Sequence, residues 1–191
     1  MKHTMIARIE GMLARLVTRR LSEFTRDKRG VSAVEFAMLL PLMLTLYLGG
    51  VEVSQGISID RKVTLTARTV ADLVAQVASI DTAGINAALG AATAVIAPYP
   101  DSAVKVTVSV VDIDANGTAK VKWSSTKNGT ARAIGSSVTL PSALNVPSSS
   151  LVWGEVAYTY QPSIGYLVTG TMNLTDQIFM RPRLSETVQK I

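Results

Sequence analysis

The chain has no cysteine among its 191 residues. That excludes a disulfide framework, and it excludes a lipoprotein anchor, which needs a cysteine to acylate. Only one histidine is present, His3. It lies in the basic N-terminal segment, so the remainder holds no histidine-based acid–base pair and no histidine-ligated metal. Aromatic residues are sparse at 5% and charged residues at 17%. Charge is missing altogether from Phe36 to Val51, and from Val31 to Val51 the only charged residue is Glu35. Those 21 residues match the length a helix needs to cross about 30 Å of hydrocarbon at about 1.5 Å per residue.

The charge that is present is uneven. Residues 1–30 hold eight Lys and Arg against three acids, whereas residues 31–191 hold eleven of each, so the net +5 belongs wholly to the N-terminal segment. A basic segment directly before an apolar span follows the positive-inside rule and places the N-terminus in the cytoplasm. The rival reading, a nucleic-acid-binding arm, fits poorly with a span beside it and a neutral body behind it; no nucleic-acid partner is expected. A conventional cleaved secretory signal fits no better. Its apolar core would be about 7–15 residues long, and here the helical pattern runs on past Leu48, Gly49 and Gly50. A plain uncleaved anchor remains a simple alternative.

The junction itself has a recognisable layout. Arg26-Asp27-Lys28-Arg29-Gly30 is followed by VSAVEFAMLLPLMLTLYLGGVEV: basic residues, a glycine, four small or apolar residues, then a glutamate and an aromatic. The segment RGVSAVEFAMLLPLMLTLYLGGVE resembles the N-terminal signature of TadE-like (TadE/TadF) minor pseudopilins of the tight-adherence, or Flp, pilus machinery. The resemblance implies that a prepilin peptidase cuts between Gly30 and Val31, making Glu35 the fifth residue of the mature chain. Pro41 in mid-helix, Glu52 beyond the apolar run and the closing Arg181-Pro182-Arg183 also match. Phe36 stands where major pilins usually carry tyrosine, which favours the minor, TadE-like branch. The implied partners are the prepilin peptidase, other pilins and pseudopilins, and the inner-membrane Tad assembly platform. The implied location is the bacterial inner membrane, single-pass, with a periplasmic C-terminal domain that enters the pilus or stays at its base. The implied role is pilus biogenesis, adherence and surface colonisation. A single-pass anchored periplasmic binding or adhesion domain without a filament role is the alternative.

Within that frame Glu35 and Pro41 carry the chemistry. A carboxylate at the bilayer centre would cost about 2.5–3.5 kcal/mol, and less near the interface. Cleavage would create a positively charged α-amine on Val31. In pilin-type filaments the family picture pairs that amine with the glutamate of a neighbouring subunit, each charge relieving the other's desolvation. The plainer reading sets Glu35 at the inner interface against Lys28 or Arg29. Pro41 removes the hydrogen bond to the Ala37 carbonyl, so a kink or local melting is expected there, unless it is merely a tolerated membrane proline. Ala33 and Ala37 form a small-xxx-small pair suited to close helix approach.

Beyond the span, Ile59, Val63, Val70, Leu73/Val74, Val77 and Ile80 recur at helical spacings. This predicts an amphipathic continuation of the same helix, with Arg68 and Asp72 as an i,i+4 pair. The expected organisation is a leader at 1–30, a transmembrane helix at 31–53, its amphipathic extension at 54–80 and an α+β head at 81–191. Asp81-Thr82-Ala83-Gly84 should break the helix, and Asn86 to Ala97 should form a shorter one. Val104, Val106, Val108 and Val110 alternate with polar residues as a strand does. Val111 and Ile113 shift the phase, which suggests a bulge near Val110. Asn116-Gly117 then reads as a hairpin turn into Ala119, Val121 and Trp123, and Asn128-Gly129 as a second turn. Residues 135–150 read as a loop. Val152, Val156, Tyr158 and Tyr160 should share one face of a third strand, with a fourth at Gln177–Arg181. Helices followed by antiparallel strands make the class α+β.

Two further motifs invite a chemical reading. Asp112, Asp114, Asn116 and Gly117 match the opening of a calcium loop, but its twelfth position is Trp123 rather than glutamate and the flanks are strands. An acidic hairpin turn explains them equally well. Ser124-Ser125-Thr126-Lys127 satisfies S-x-x-K without the companion S-D-N and K-T-G elements. Asn116, Asn128 and Asn173 open N-x-T sequons, two of them the turn dipeptides. No cofactor, metal or enzymatic activity is expected.

Overall fold

The computed structural model describes residues 28–162 and 170–191; the basic leader before Lys28, and with it most of the segment expected to be removed, lies outside them. Helix α1 spans Lys28–Ala75, 48 residues. The chain divides into two compact units between Gly49 and Gly50. The first contains the apolar part of α1, whose side chains are almost all exposed. In the second, the remainder of α1 buries the predicted face: Ile59, Val63, Ala67, Val70, Ala71 and Val74 are fully buried.

The helix stops at Ala75, five residues short of the expected Ile80. Ser79–Ile80 instead forms a short strand, β1, paired in parallel with β6, Gln189–Lys190. Ile80 is buried, as its helical spacing suggested, but a strand buries it. The cause is a long-range cap: the Arg183 N–H donates to the Ala75 carbonyl at 2.8 Å, satisfying an acceptor that a helix end leaves open.

Helix α2 runs from Thr82 to Ala94, starting four residues before the expected Asn86 and ending before Ala97. Asp81 is not a breaker but the N-cap, its Oδ1 accepting the Gly84 N–H at 2.7 Å. After a 3-10 turn at Asp101–Ala103 come β2 (Val104–Ile113), β3 (Ala119–Lys127), β4 (Ser149–Tyr160) and β5 (Met172–Met180). They form one antiparallel sheet in the order β3-β2-β4-β5. The fold is thus α+β: a long N-terminal apolar helix followed by a small antiparallel-sheet domain. The fourth strand begins at Met172, five residues ahead of the expected Gln177.

The alternation of β2 does not slip at Val111: the irregularity lies in β3, and the apolar positions of β2 pass to its other face. The β2–β3 register shifts between Val110 and Val111, because Val110 pairs with Trp123 and Val111 with Val121, leaving Lys122 as the extra residue of a bulge. Along β4 the pairing of β2 continues unbroken. Val110 therefore faces the helices, while Val111 and Ile113 face the opposite side. There they meet a second, smaller core with Ala119, Leu151 and Trp153, packed against Val138, Leu140 and Leu144 of the 128–148 loop. The main core lies between the helices and the other sheet face.

Gly154 decides how closely helix and sheet approach. It sits mid-strand in β4, opposite Val108 and Ile178. A Cβ there would lie 2.6 Å from the Ala67 carbonyl oxygen and 3.1 Å from both Ala71 Cβ and Val70 Cγ1. Only a residue without a side chain lets the α1 backbone rest against the strand.

Candidate functional site

The residues expected to carry function lie together at the start of α1. Gly30 and Val31 fall within the first turn, where backbone N–H groups have no intrahelical partner. The helix has no acidic residue in its first turn. A cut at Gly30–Val31 would move the N-terminus to Val31 and bring Glu35 to the end of a new first turn, where the helix dipole favours a carboxylate. Val31 and Glu35 stand four residues apart and so share a face. Phe36 follows on the adjoining face and is 59% exposed.

From Val31 to Tyr47 every side chain is exposed, including Met38, Leu39, Leu42, Met43, Leu44 and Leu46. A contiguous apolar surface of this kind does not stay in water. The helix is long and apolar enough to cross a membrane, with a mean hydropathy of 1.9 over its most apolar window and none of that window buried. This fits a single-pass membrane protein. Pro41 lies inside the helix, which continues through it. Thr45 Oγ1 donates to the Pro41 carbonyl at 2.8 Å, a bond that Thr makes within its own helix. Ala33 and Ala37, both exposed, mark a face where another helix could approach closely.

The calcium-like residues serve as a turn. Asp114 Oδ1 accepts the N–H groups of Asn116 at 2.9 Å and Thr118 at 2.8 Å, and Gly117 adopts φ +80, the left-handed conformation that this hairpin needs. Asp112 points elsewhere: its Oδ2 pairs with Lys122 Nζ at 3.2 Å and its Oδ1 accepts the Thr187 hydroxyl at 3.1 Å. The two carboxylates are thus committed to separate partners. Among the described residues no group of three or more metal-capable side chains gathers. In the S-x-x-K segment, Ser124 accepts from the Ser109 hydroxyl at 2.9 Å, while Lys127 Nζ donates to Thr93 Oγ1 of α2 at 2.9 Å. Serine and lysine therefore have different partners and do not form a nucleophile–base pair.

Several arrangements were not legible in the sequence. Asp72, expected to pair with Arg68, is bound by the Arg183 guanidinium. The closing Arg-Pro-Arg motif thus fastens the end of α1 by backbone and side chain together. The following residues continue the strap: Trp123 Nε1 donates to the Val188 carbonyl at 2.9 Å, Val188 is fully buried, and the Ile191 N–H donates to the Ile80 carbonyl at 3.1 Å. On the outer sheet face Arg132 binds Glu155 through two hydrogen bonds of 2.6 Å and lies 3.9 Å from the centre of the Trp153 ring, which stacks on Phe179 at 5.2 Å. The Glu155 carboxylate, bound to it, raises the Arg132 pKa. Beside this cluster lies an open depression of ≈ 610 Å³ floored by Lys105, Thr107, Glu155, Ala157, Thr175 and Gln177. Burial pushes the Tyr158 and Tyr160 hydroxyls above the ordinary tyrosine range. The one sequence hint to the outer cluster was Trp153 itself, whose phase opposes that of Val152.

Comparison with known proteins places the N-terminal helix. Residues 30–72 match the family model described as TadE-like protein. The match begins at the glycine of the expected cleavage site and takes in Glu35, Phe36, Pro41 and Asp72. No curated protein and no solved structure matches the chain. Over those residues the helix is similar to TadE-like proteins.

Proposed function

We propose that this chain is a minor pseudopilin of the Tad/Flp pilus assembly machinery, made as a precursor and cut after Gly30 by a prepilin peptidase. The observation that carries this reading is one stretch of helix: the TadE-like match begins at Gly30, Glu35 follows one turn after Val31, and the apolar surface beyond is exposed along its length. The leader keeps the N-terminus in the cytoplasm, α1 crosses the inner membrane, and the head lies in the periplasm. Removing the leader discards the whole net charge of +5 and exposes one ammonium on Val31. Glu35 of a neighbouring pilin or pseudopilin takes that ammonium in apolar surroundings, where neither charge would be tolerated alone. The role is assembly rather than catalysis: the Asp, Ser and Lys side chains that resembled catalytic or metal motifs hold turns and interfaces within the head.

The alternative, an anchored periplasmic binding domain, draws on the open polar depression between the 128–132 loop and β5. The N-terminus separates the two. Intact mass and N-terminal sequencing of membrane-extracted protein, from a host carrying the matching peptidase, should show a chain starting at Val31. Retention of the leader in that host would refute the pseudopilin reading. Glu35→Gln should leave the cut at Gly30 in place but abolish co-purification with other pilins.

A further inference from the structure

The two edges of the four-stranded sheet differ. On β3 the 135–138 segment covers part of the edge: Val121 exchanges bonds with Gly135 and Ser136, and the Val138 N–H donates to Ala119 at 3.0 Å. Lys120, Lys122 and Lys127 add charge along the same strand, a usual defence against edge-to-edge pairing. At the other end, β5 has no neighbour beyond it among the described residues. Met172–Met180 contains neither lysine, arginine nor proline, and its one charge is Asp176.

Asp176 occupies a particular place. Since Val121 directs its N–H and C=O outward from β3, the antiparallel alternation carried through β2 and β4 puts the N–H groups of Asn173, Thr175, Gln177 and Phe179 on the free side of β5. The Gln177 N–H, at the middle of that row, donates to Asp176 Oδ1 at 2.7 Å. A carboxylate thus occupies a donor that an incoming strand would need.

The strand is also self-complementary. Two copies of β5 set antiparallel about Asp176 would place Leu174 opposite Ile178 and Met172 opposite Met180 on the helix side. All four of these side chains are at least partly exposed at the margin of the core. On the outer side Thr175 would meet Gln177, the pair that exchanges hydrogen bonds. Only the centre resists: Asp176 would stand directly opposite its own copy, a like-charge pair that destabilises a ladder.

We propose that β5 is an edge on which a second copy of this chain can add its own β5, and that Asp176 keeps it closed by capping the Gln177 N–H. The device suits a membrane-held chain that meets its own copies at high local concentration, because its heads stay apart until the cap is displaced. The inference stands apart from the cleavage reading and does not depend on it.

The test uses the full chain in detergent micelles and exploits its lack of cysteine. Thr175→Cys and Gln177→Cys are made as separate proteins, mixed and oxidised, with Asp176 retained or replaced by Ala, Val or Asn. Paired strands would bring the two Cα atoms to about 5.5 Å, within disulfide range. Ala and Val remove the cap, so the mixed disulfide should rise roughly tenfold or more over the Asp176 parent, as two outward N–H groups are released per pair. Asn removes the charge but still offers an oxygen to Gln177, so its yield should rise only part of the way, well short of that with Ala or Val. Val keeps the strand well formed should Ala weaken it. No mixed disulfide with either Ala or Val would overturn the proposal. So would a yield with Asn equal to that with Ala, since charge repulsion rather than the cap would then be the guard.

Discussion

Gly154→Ala is the substitution that most directly tests how the head is packed. On general grounds it should stabilise, because alanine restricts the unfolded chain and favours folding by about 0.4–1 kcal/mol where the native backbone accepts it. The geometry at this position reverses the sign. The added methyl carbon would lie 2.6 Å from the carbonyl oxygen of Ala67 and 3.1 Å from Ala71 Cβ, whereas carbon contacts are optimal at roughly 3.5–4.0 Å. The obstructing oxygen belongs to the helix backbone, so relief requires α1 to move away from β4 and loosen the contacts of Val63, Val70 and Val74. Overpacking of this kind costs about 1–3 kcal/mol, which outweighs the entropic gain. Gly90→Ala provides the control. It lies inside α2 with no atom within 4 Å of the new carbon, so it should stabilise by about 0.5–1 kcal/mol. Both variants can be unfolded by heat or urea as the full chain in micelles, with Trp123 and Trp153, the two tryptophans of the chain, reporting on the head. The reasoning fails if Gly154→Ala melts at or above the parent while Gly90→Ala behaves as expected, for then the helix does not press on the strand as described.

Other outcomes follow from the same contacts. Val188→Ala should destabilise the head by about 1–3 kcal/mol, because it empties a fully buried site; the urea midpoint should fall, and Trp123 emission should shift red as the strap loosens. Arg132→Met should cost only about 1 kcal/mol, since its paired guanidinium and its stacking on Trp153 lie at a partly exposed surface; the checkable sign is a change in Trp153 quenching with little movement of the melting temperature. Tyr158 and Tyr160 hold their protons more tightly folded than unfolded. Their contribution is therefore complete below the ordinary tyrosine value of about 10 and is lost as pH rises through the raised folded values. Thermal melts across that alkaline range should show a steep loss of stability that is shallower in a Tyr158→Phe/Tyr160→Phe variant.

Much of the architecture is a local property of the chain and can be read there. An apolar run free of charge from Phe36 to Val51 is long enough for a membrane-crossing helix, and that is legible without the rest of the chain. The alternation of Val104 to Val110 and the Asn116-Gly117 dipeptide determine a hairpin, because pleat and turn chemistry act over a few residues. The layout that resembles a prepilin cleavage site is equally local, since it consists of contiguous residues. What local pattern could not supply was the partner of each surface. Spacing alone carried the helix on to Ile80, while the bond from Arg183 to Ala75 ended it early and turned Ile80 into a strand residue. Val111 and Ile113 looked like a slipped phase, and only the 128–148 loop folding over the outer face gave them a second core. Asp72 had a neighbour at helical spacing in Arg68, yet it was taken by a residue far along the chain. Periodicity determines which face of an element is apolar. The packed structure alone decides what covers that face, because the covering residues come from distant parts of the chain and are chosen by fit, as Gly154 is by the oxygen of Ala67.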